Sequence, residues 1–275
     1  MSRITPWLIG ATIIAILAVS VLSLRRRFYP PEANGREIYA EQRGVPSGCV
    51  SHETFDELLK KHVKGDLIDY SALKGDSAAL KMYLDSLADV VVKNCSRDEL
   101  LALYINAYNA ATLHLILEHY PGIASIKDIP ADTRWNAKRW KIAGETLSLS
   151  DVEHQVLRNR FAEPRIHFAI NCASLSCPPL RSEAYTAARL EKQLQAQAEH
   201  MHRGFGGAHW NAATRTLNLS RIYDWYEGDF TRKGETLATY AAKFMEPDAA
   251  KQVRTTDPKI KFQEYDWSLN NVKQE

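Results

Sequence analysis

The sequence has little net charge and no dense run of basic residues in its main body. Its 275 residues carry 35 lysines and arginines against 33 aspartates and glutamates, which gives a formal net charge of +2. A protein that binds nucleic acid needs a clustered basic patch. The only dense cluster here is Arg25-Arg26-Arg27. We therefore predict no nucleic-acid partner.

Cysteine is also scarce. The four cysteines lie at positions 49, 95, 172 and 177, and no pair has the spacing C-x-x-C. A chain of this length, 45% hydrophobic and 25% charged, has the composition of an ordinary globular protein and does not need a disulfide scaffold. No internal repeat is present. The sequence predicts no cofactor.

One long segment lacks charge altogether. Ile4–Leu24 has no charged residue over 21 positions, a helix of about 31 Å that is long enough to cross a bilayer. We predict a single-pass membrane anchor at 1–27, a polar tether at 28–50 and a globular domain at 51–275. The alternative is a signal peptide cleaved after Ala18-Val19-Ser20.

The side of the membrane that holds the globular domain stays open. Three arginines follow the apolar segment and only Arg3 and the amino terminus precede it, which slightly favours a cytoplasmic domain. A single amino-terminal anchor ahead of a large domain is equally typical of periplasmic proteins.

Helical patterns precede scattered strand patterns. Ser96-Arg97-Asp98-Glu99 has the form of a capping box and predicts a helix over Arg97–His119. Trp135–Leu149 predicts a hairpin that turns at Ala143-Gly144, and Lys261–Asn270 predicts a closing strand. This order indicates an α+β fold, mainly helical, with a small and mostly antiparallel sheet.

Pro164–Leu180 concentrates more reactive side chains than any other segment. Its alternating pattern predicts a strand over Arg165–Ile170 with His167 on the polar face. A loop with Cys172 and Cys177 follows, and Pro178-Pro179 stiffens it. Chemically able side chains on a loop that follows a buried strand are typical of a functional site.

A thiol and an imidazole together can form a nucleophile and its base. Cys172 or Cys177 is the predicted nucleophile and His154 or His167 the predicted base. Three alternatives remain: a local disulfide between Cys172 and Cys177, a simply buried thiol, or a zinc site formed by all four residues, although their spacing matches no standard zinc pattern.

Asparagine is a poor helix former, and Asn106 and Asn109 share one face of the predicted helix Arg97–His119. We expect both to face Pro164–Leu180, either bonding its loop backbone or lining a site. Glu153 and His154 suggest acid–base chemistry. Glu153 also fits position N3 of a capping box that begins at Ser150, the interpretation we favour.

Five blocks of the sequence resemble the family known as domain of unknown function 547. These blocks are YINAYNAATL (104–113), SLSDVEHQVLR (148–158), PRIHFAINCASLSCPPLRSEAY (164–185), LSRIYDWYEGDF (219–230) and YDWSLN (265–270). The resemblance covers roughly Phe55–Asn270. It departs from the family at Tyr104, where related sequences commonly have tryptophan. It implies kinship and no particular activity.

Two hypotheses about function follow. The first is a membrane-anchored, non-catalytic binding module or structural component of the cell envelope. The second is a cysteine-dependent acyl hydrolase or transferase that uses Cys172 or Cys177 with His154 or His167 and the amides of Asn106 and Asn109.

Overall fold

The computed structural model describes residues 48–272. The predicted anchor at 1–27, including Ile4–Leu24, and nearly all of the predicted tether at 28–50 lie outside the described residues. Within the described range one helix, Arg97–His119, is long and apolar enough to cross a membrane, but 94% of its apolar window is buried inside the protein.

The first half of the fold is mainly helical. The elements in chain order are α1 Glu53–His62, β1 Val63–Lys64, β2 Leu67–Ile68, α2 Tyr70–Gly75, α3 Ser77–Ser86, α4 Arg97–His119, α5 Ala131–Arg134, β3 Trp140–Ile142 and β4 Glu145–Leu147. Short 3-10 turns span Val92–Asn94 and Ile126–Asp128. The predicted fold class, α+β, is confirmed.

The second half alternates short helices with three strands. A π-helical turn at Asp151–Leu157 leads into α6 Arg158–Arg160 and α7 Ile166–Ala169, and a 3-10 turn at Ala187–Arg189 precedes α8 Leu190–Glu199. A second π-helical turn spans His200–Gly204. The remaining elements are β5 Ala208–Asn211, β6 Thr216–Leu219, α9 Arg221–Trp225, α10 Glu227–Thr231, α11 Leu237–Ala241, α12 Pro247–Thr255 and β7 Lys259–Phe262.

The strands form three small sheets among the described residues, rather than the single sheet predicted. β1–β2 and β3–β4 are antiparallel hairpins. In the third sheet β6 pairs antiparallel with β5 and parallel with β7. The predicted turn at Ala143-Gly144 is confirmed: both residues have positive φ, 48° and 82°, as a two-residue hairpin turn of type I′ requires.

Helix α4 forms the centre of the larger hydrophobic core. Ser96 caps it with the predicted capping box, since its hydroxyl accepts the Glu99 N–H while the Glu99 carboxylate accepts the Ser96 N–H. Almost every α4 residue from Glu99 to Leu117 is buried, on all sides of the helix. A helix that is apolar around its whole circumference belongs in a core, which explains why α4 resembles a membrane span in composition.

Helix α7 lies where two hydrophobic cores meet. Ile166 and Ala169 belong to the larger core, whereas Phe168 packs in a second core with residues of β6 and α9–α12. The predicted strand at Arg165–Ile170 is therefore wrong. Its alternating apolar residues do not mark one buried face, because Ile166, His167, Phe168 and Ala169 are all buried.

Candidate functional site

The loop after α7 is held by two asparagine side chains. Asn109 of α4 donates from Nδ2 to the Ala169 carbonyl at 3.0 Å and accepts the Asn171 N–H at 2.8 Å. Asn171 in turn donates to the Pro178 carbonyl at 2.7 Å and accepts the Ala173 N–H at 2.8 Å. The predicted contact between Asn109 and this loop is confirmed.

The Asn106 side chain holds a different loop, also through hydrogen bonds to its backbone. It donates to the Tyr185 carbonyl at 2.8 Å and accepts the Tyr185 N–H at 2.9 Å. Tyr185 lies beyond Leu180, so the prediction that Asn106 faces Pro164–Leu180 is wrong in its target. The reason for the prediction remains valid, because the buried Asn106 amide hydrogen-bonds backbone groups that would otherwise lack partners.

The segment Tyr265–Asn271, which we name the closing segment, lies against the same loop from the other side. The N–H groups of Leu175 and Ser176 donate to the carbonyls of Ser268 and Asp266 at 2.8 and 3.1 Å. The Asn270 amide donates to Asn171 Oδ1 at 3.3 Å and accepts from the Tyr70 hydroxyl at 2.8 Å. Backbone and side-chain bonds from three parts of the chain therefore fix the loop.

The backbone conformation of Ala173 indicates that the loop is tightly constrained. Its φ is +63°, a left-handed conformation that an alanine rarely adopts, and its side chain is fully buried. Such a conformation persists where the surroundings over-determine it, often at functional sites. The constraint falls on the residue directly after Cys172.

The Cys172 sulfur is half-buried and surrounded by polar hydrogens. It lies 3.0 Å from the Ser174 hydroxyl and 3.2 Å from the Tyr265 hydroxyl, and these two hydroxyls are 3.2 Å apart. Burial works to raise the pKa of Cys172, but hydrogen bonds from Cys177, Ser174 and Tyr265 together lower it below the usual thiol value. Hydrogen bonds to the charged form favour the thiolate.

Cys177 has the opposite character. Its side chain is buried, and its sulfur accepts the Cys172 N–H at 2.9 Å. Burial, reinforced by the neighbouring Cys172 thiolate, raises the pKa of Cys177 well above the usual value. Both thiols are free, which contradicts the predicted alternative of a Cys172–Cys177 disulfide in this state of the protein. The disulfide present joins Cys49 to Cys95.

His167 belongs to a buried ionic cluster that we did not predict. Its Nε2 donates to Asp229 at 2.8 Å, and Asp229 also accepts from Arg158 at 2.6 Å and Arg232 at 2.9 Å. Burial works against the charge, but the bonds from His167 and Arg158 hold the pKa of Asp229 far below its usual range. The other ring nitrogen, Nδ1 of His167, is buried without a hydrogen-bond partner.

Glu153 does not cap a helix, so the capping interpretation is wrong. The box lies two residues earlier, where Ser148 and Asp151 exchange hydrogen bonds. The Glu153 carboxylate instead accepts from the Tyr226 hydroxyl at 2.5 Å. Although burial works to raise it, the charge of His154 and the bond from Tyr226 hold the pKa of Glu153 below its usual value.

His154 lies beside Glu153 on the π-helical turn Asp151–Leu157. π-helical turns are rare and frequently occur at functional sites. The Arg158 guanidinium donates to Nδ1 of His154 at 3.3 Å. Burial lowers the pKa of His154, which the charge of Glu153 only partly offsets. Burial therefore disfavours the charged form of this imidazole, and its Nδ1 lone pair is already engaged by Arg158.

Tyr226 contacts both His167 and Glu153. Its ring stacks on His167 with 3.9 Å between centroids, and its hydroxyl bonds Glu153. Burial, Glu153 and Cys172 all raise the pKa of Tyr226, and the same three influences raise the pKa of Tyr108. The Glu153 carboxylate and the Cys172 thiol are therefore both close enough to these two phenols to influence their pKa values.

The structure does not join a predicted nucleophile directly to a predicted base. Across residues 48–272, the hydrogen bonds of Cys172 and Cys177 include none to His154 or His167. The same residues contain no cluster of three or more histidine, cysteine, aspartate or glutamate side chains arranged to hold a metal ion. The predicted zinc alternative therefore has no geometric support there.

A small cavity adjoins the Cys172 cluster. It has a volume of about 210 Å³ and shares Tyr265, Leu175 and Ser176 with the loop and the closing segment. Phe205, Gly207 and Arg221 are among its other lining residues. A molecule held in this cavity would lie beside the Tyr265 side chain, whose hydroxyl contacts the sulfur.

Part of this site falls within a region that matches a family model. Residues 92–201 match the family model described as a protein of unknown function, DUF547. The DUF547 match contains Asn106, Asn109, Glu153, His154, His167, Cys172 and Cys177. Tyr226, Asp229 and Tyr265 lie outside it, although the blocks LSRIYDWYEGDF and YDWSLN draw attention to them. No curated protein matches the chain, and no solved structure matches it.

Proposed function

We propose that the chain is a cysteine-dependent acyl hydrolase or transferase with Cys172 as its nucleophile. The observation that carries the proposal is the half-buried Cys172 sulfur beside the hydroxyls of Ser174 and Tyr265, at 3.0 and 3.2 Å. A thiol of lowered pKa is more fully ionised at neutral pH, and the thiolate is the reactive form. The loop geometry set by Asn109 and Asn171 keeps the sulfur in one place.

The chemistry would proceed in two steps. The Cys172 thiolate attacks the acyl carbon of an ester or thioester, and the leaving group takes a proton from the Tyr265 hydroxyl, which solvent protonates again. Since neither imidazole bonds the sulfur, the histidines are assigned to the second step. There water or an alcohol attacks the acyl carbon, the carbon–sulfur bond breaks to regenerate the Cys172 thiolate, and His154 accepts the proton at Nδ1 once Arg158 releases that nitrogen.

A chromogenic ester tests the proposal. The full chain, kept in mild detergent and reduced at Cys172, is mixed with p-nitrophenyl acetate, and the acetylated peptide is identified by mass spectrometry. We expect a burst of one equivalent of p-nitrophenol and an acetyl group on Cys172. Cys49→Ala/Cys95→Ala, assayed where it is folded, is the matched control and should keep the burst, whereas Cys172→Ser should lose it. A rate no faster than that of a free thiol would contradict the proposal.

A second candidate is a non-catalytic binding module. It is favoured by the lack of a hydrogen bond between either sulfur and either imidazole, and by three half-buried aromatic side chains next to the loop. Tyr265 lies 4.8 Å from Trp225 and 4.5 Å from Trp267 between ring centroids. Aromatic faces of this kind bind the apolar surfaces of peptides and sugars. Titration of tryptophan fluorescence with short peptides and oligosaccharides, compared with Trp225→Ala, tests it.

We also propose that Ile4–Leu24 holds the protein in a membrane. The support is its length and lack of charge. After a carbonate wash the chain should remain in the membrane fraction. Soluble material that begins near Val21 would instead show cleavage of a signal peptide.

A further inference from the structure

Cys172 and Cys177 are brought together by a tight turn of the backbone. The Cys177 N–H donates to the Ser174 carbonyl at 3.0 Å, which folds the chain back on itself. The Cys172 N–H then donates to the Cys177 sulfur at 2.9 Å, which places that sulfur against the backbone of Cys172. A disulfide has an S–S distance near 2.05 Å, so the two sulfurs must move into bonding contact when it forms.

The two thiols are unequal in a way that suits disulfide exchange. Cys172 is partly exposed as a residue, whereas Cys177 is only 5% exposed. The pKa of the first is lowered and that of the second raised. In exchange reactions a reachable thiolate attacks first, and a second thiol in contact with it then resolves the mixed disulfide.

We propose that Cys172 and Cys177 form a redox pair that exchanges electrons with low-molecular-weight disulfides. The Cys172 thiolate attacks one sulfur of the external disulfide, forming a mixed disulfide and releasing one thiolate. Cys177 then loses its proton to solvent and attacks the Cys172 sulfur, releasing the second thiolate. The external disulfide gains two electrons, and the cysteine pair loses two and becomes a disulfide.

The half-exposed position of Cys172 selects a small oxidant rather than a protein. The Tyr265 hydroxyl lies 3.2 Å from the sulfur and the closing segment bonds the backbone of the loop, so that a bulky protein disulfide has less room to approach than a small one. Oxidation would also remove the nucleophile of the proposed acyl transfer. The redox activity does not depend on that transfer, because it needs only the two sulfurs.

Oxidised glutathione is the probe that tests the pair. The full chain in detergent is incubated with a series of ratios of reduced to oxidised glutathione, quenched in acid, alkylated, and mapped by mass spectrometry. We expect a peptide linked through Cys172 and Cys177 that appears and disappears reversibly with the ratio. The Cys49–Cys95 link serves as an internal reference and should stay oxidised throughout. In Cys177→Ser we expect glutathione to accumulate on Cys172.

Other outcomes would overturn the inference. One is a stable glutathione adduct on Cys172 in the unsubstituted chain, because a resolving thiol would remove it. Another is alkylation of both thiols at every ratio. The result is separable from the acyl-transfer test: an ester burst with no linked peptide rejects the redox pair alone, and a linked peptide with no burst rejects acyl transfer alone.

Discussion

The two pairs of cysteines in this chain have the same chemistry and opposite surroundings. Cys49 and Cys95 are 46 residues apart and are joined, with Cys95 fully buried directly before the cap of α4. Cys172 and Cys177 are five residues apart and free, on a loop rich in hydroxyl and amide groups. The first pair ties distant parts of the chain together, and the second contains the sulfur that we propose as the nucleophile. Both pairs consist of the same residue type, so their surroundings decide which pair is structural and which has the proposed reactivity.

The largest expected effect is the loss of thiol reactivity in Cys172→Ser. If Cys172 is the nucleophile, the burst rate with p-nitrophenyl acetate should fall by about 10³-fold or more, as removal of a nucleophile does in other enzymes. The double variant Cys49→Ala/Cys95→Ala, assayed at a temperature where it is folded, should keep the rate. Equal losses in both variants would remove the distinction between the pairs.

The second largest expected effect is a loss of stability when the Cys49–Cys95 disulfide is removed. Closing a loop of 46 residues stabilises the folded chain by about 4 kcal/mol through the entropy of the unfolded state. Cys49→Ala/Cys95→Ala should therefore lower the free energy of unfolding by about 3–4 kcal/mol in urea denaturation. Cys172→Ser is the control, with an expected loss of about 1 kcal/mol. A larger loss in the control would show that the second pair is also structural.

A third prediction asks whether α4 positions the reactive loop. Asn109→Leu leaves the Ala169 carbonyl and the Asn171 N–H without partners and should destabilise the protein by about 2–3 kcal/mol. Iodoacetamide should also modify Cys172 more slowly, because the loop no longer holds the sulfur beside its donors. Asn106→Leu is the matched control: it should cost similar stability and leave Cys172 alkylation unchanged. Slower alkylation in both variants would indicate that either substitution loosens the whole fold rather than the Cys172 loop alone.

The sequence predicted those features of the fold that are determined by a few neighbouring residues. The capping box at Ser96 and the turn at Ala143-Gly144 were predicted because each is decided within four residues. The strand at Arg165–Ile170 failed because its burial comes from two cores whose members are distant in sequence. Glu153 was misassigned for the same reason: its partner, Tyr226, is 73 residues away.

The candidate site shows the same limit. Its reactive side chains were visible as a cluster in Pro164–Leu180, and Asn109 was correctly expected to bond the loop. Their distant hydrogen-bond partners were not predicted, since Tyr265 and Asp229 are 93 and 62 residues from the side chains they bond. Spacing in sequence identifies reactive residues, but only the fold shows which of them lie together.

The smallest expected effect concerns pH. The pKa of Cys172 is lowered below the usual thiol value, so alkylation should speed up as pH rises through that lowered pKa rather than through the ordinary one. Tyr265→Phe removes one donor to the thiolate and should move the midpoint to higher pH, with alkylation about fivefold slower at pH 7. Tyr226→Phe serves as the control. An unchanged midpoint in Tyr265→Phe would show that the hydroxyl does not stabilise the thiolate.

The closing segment has a consequence for the order in which the protein is made. Tyr265 follows Cys172 by 93 residues, and the backbone bonds from Ser268 and Asp266 to the loop come equally late. Because the ribosome makes the chain from its amino terminus, Cys172 emerges long before Tyr265. The Tyr265 hydrogen bond to the sulfur therefore forms only after the closing segment has been made. On the proposed function, the Cys172 thiol would lack one of its hydrogen-bond donors throughout synthesis.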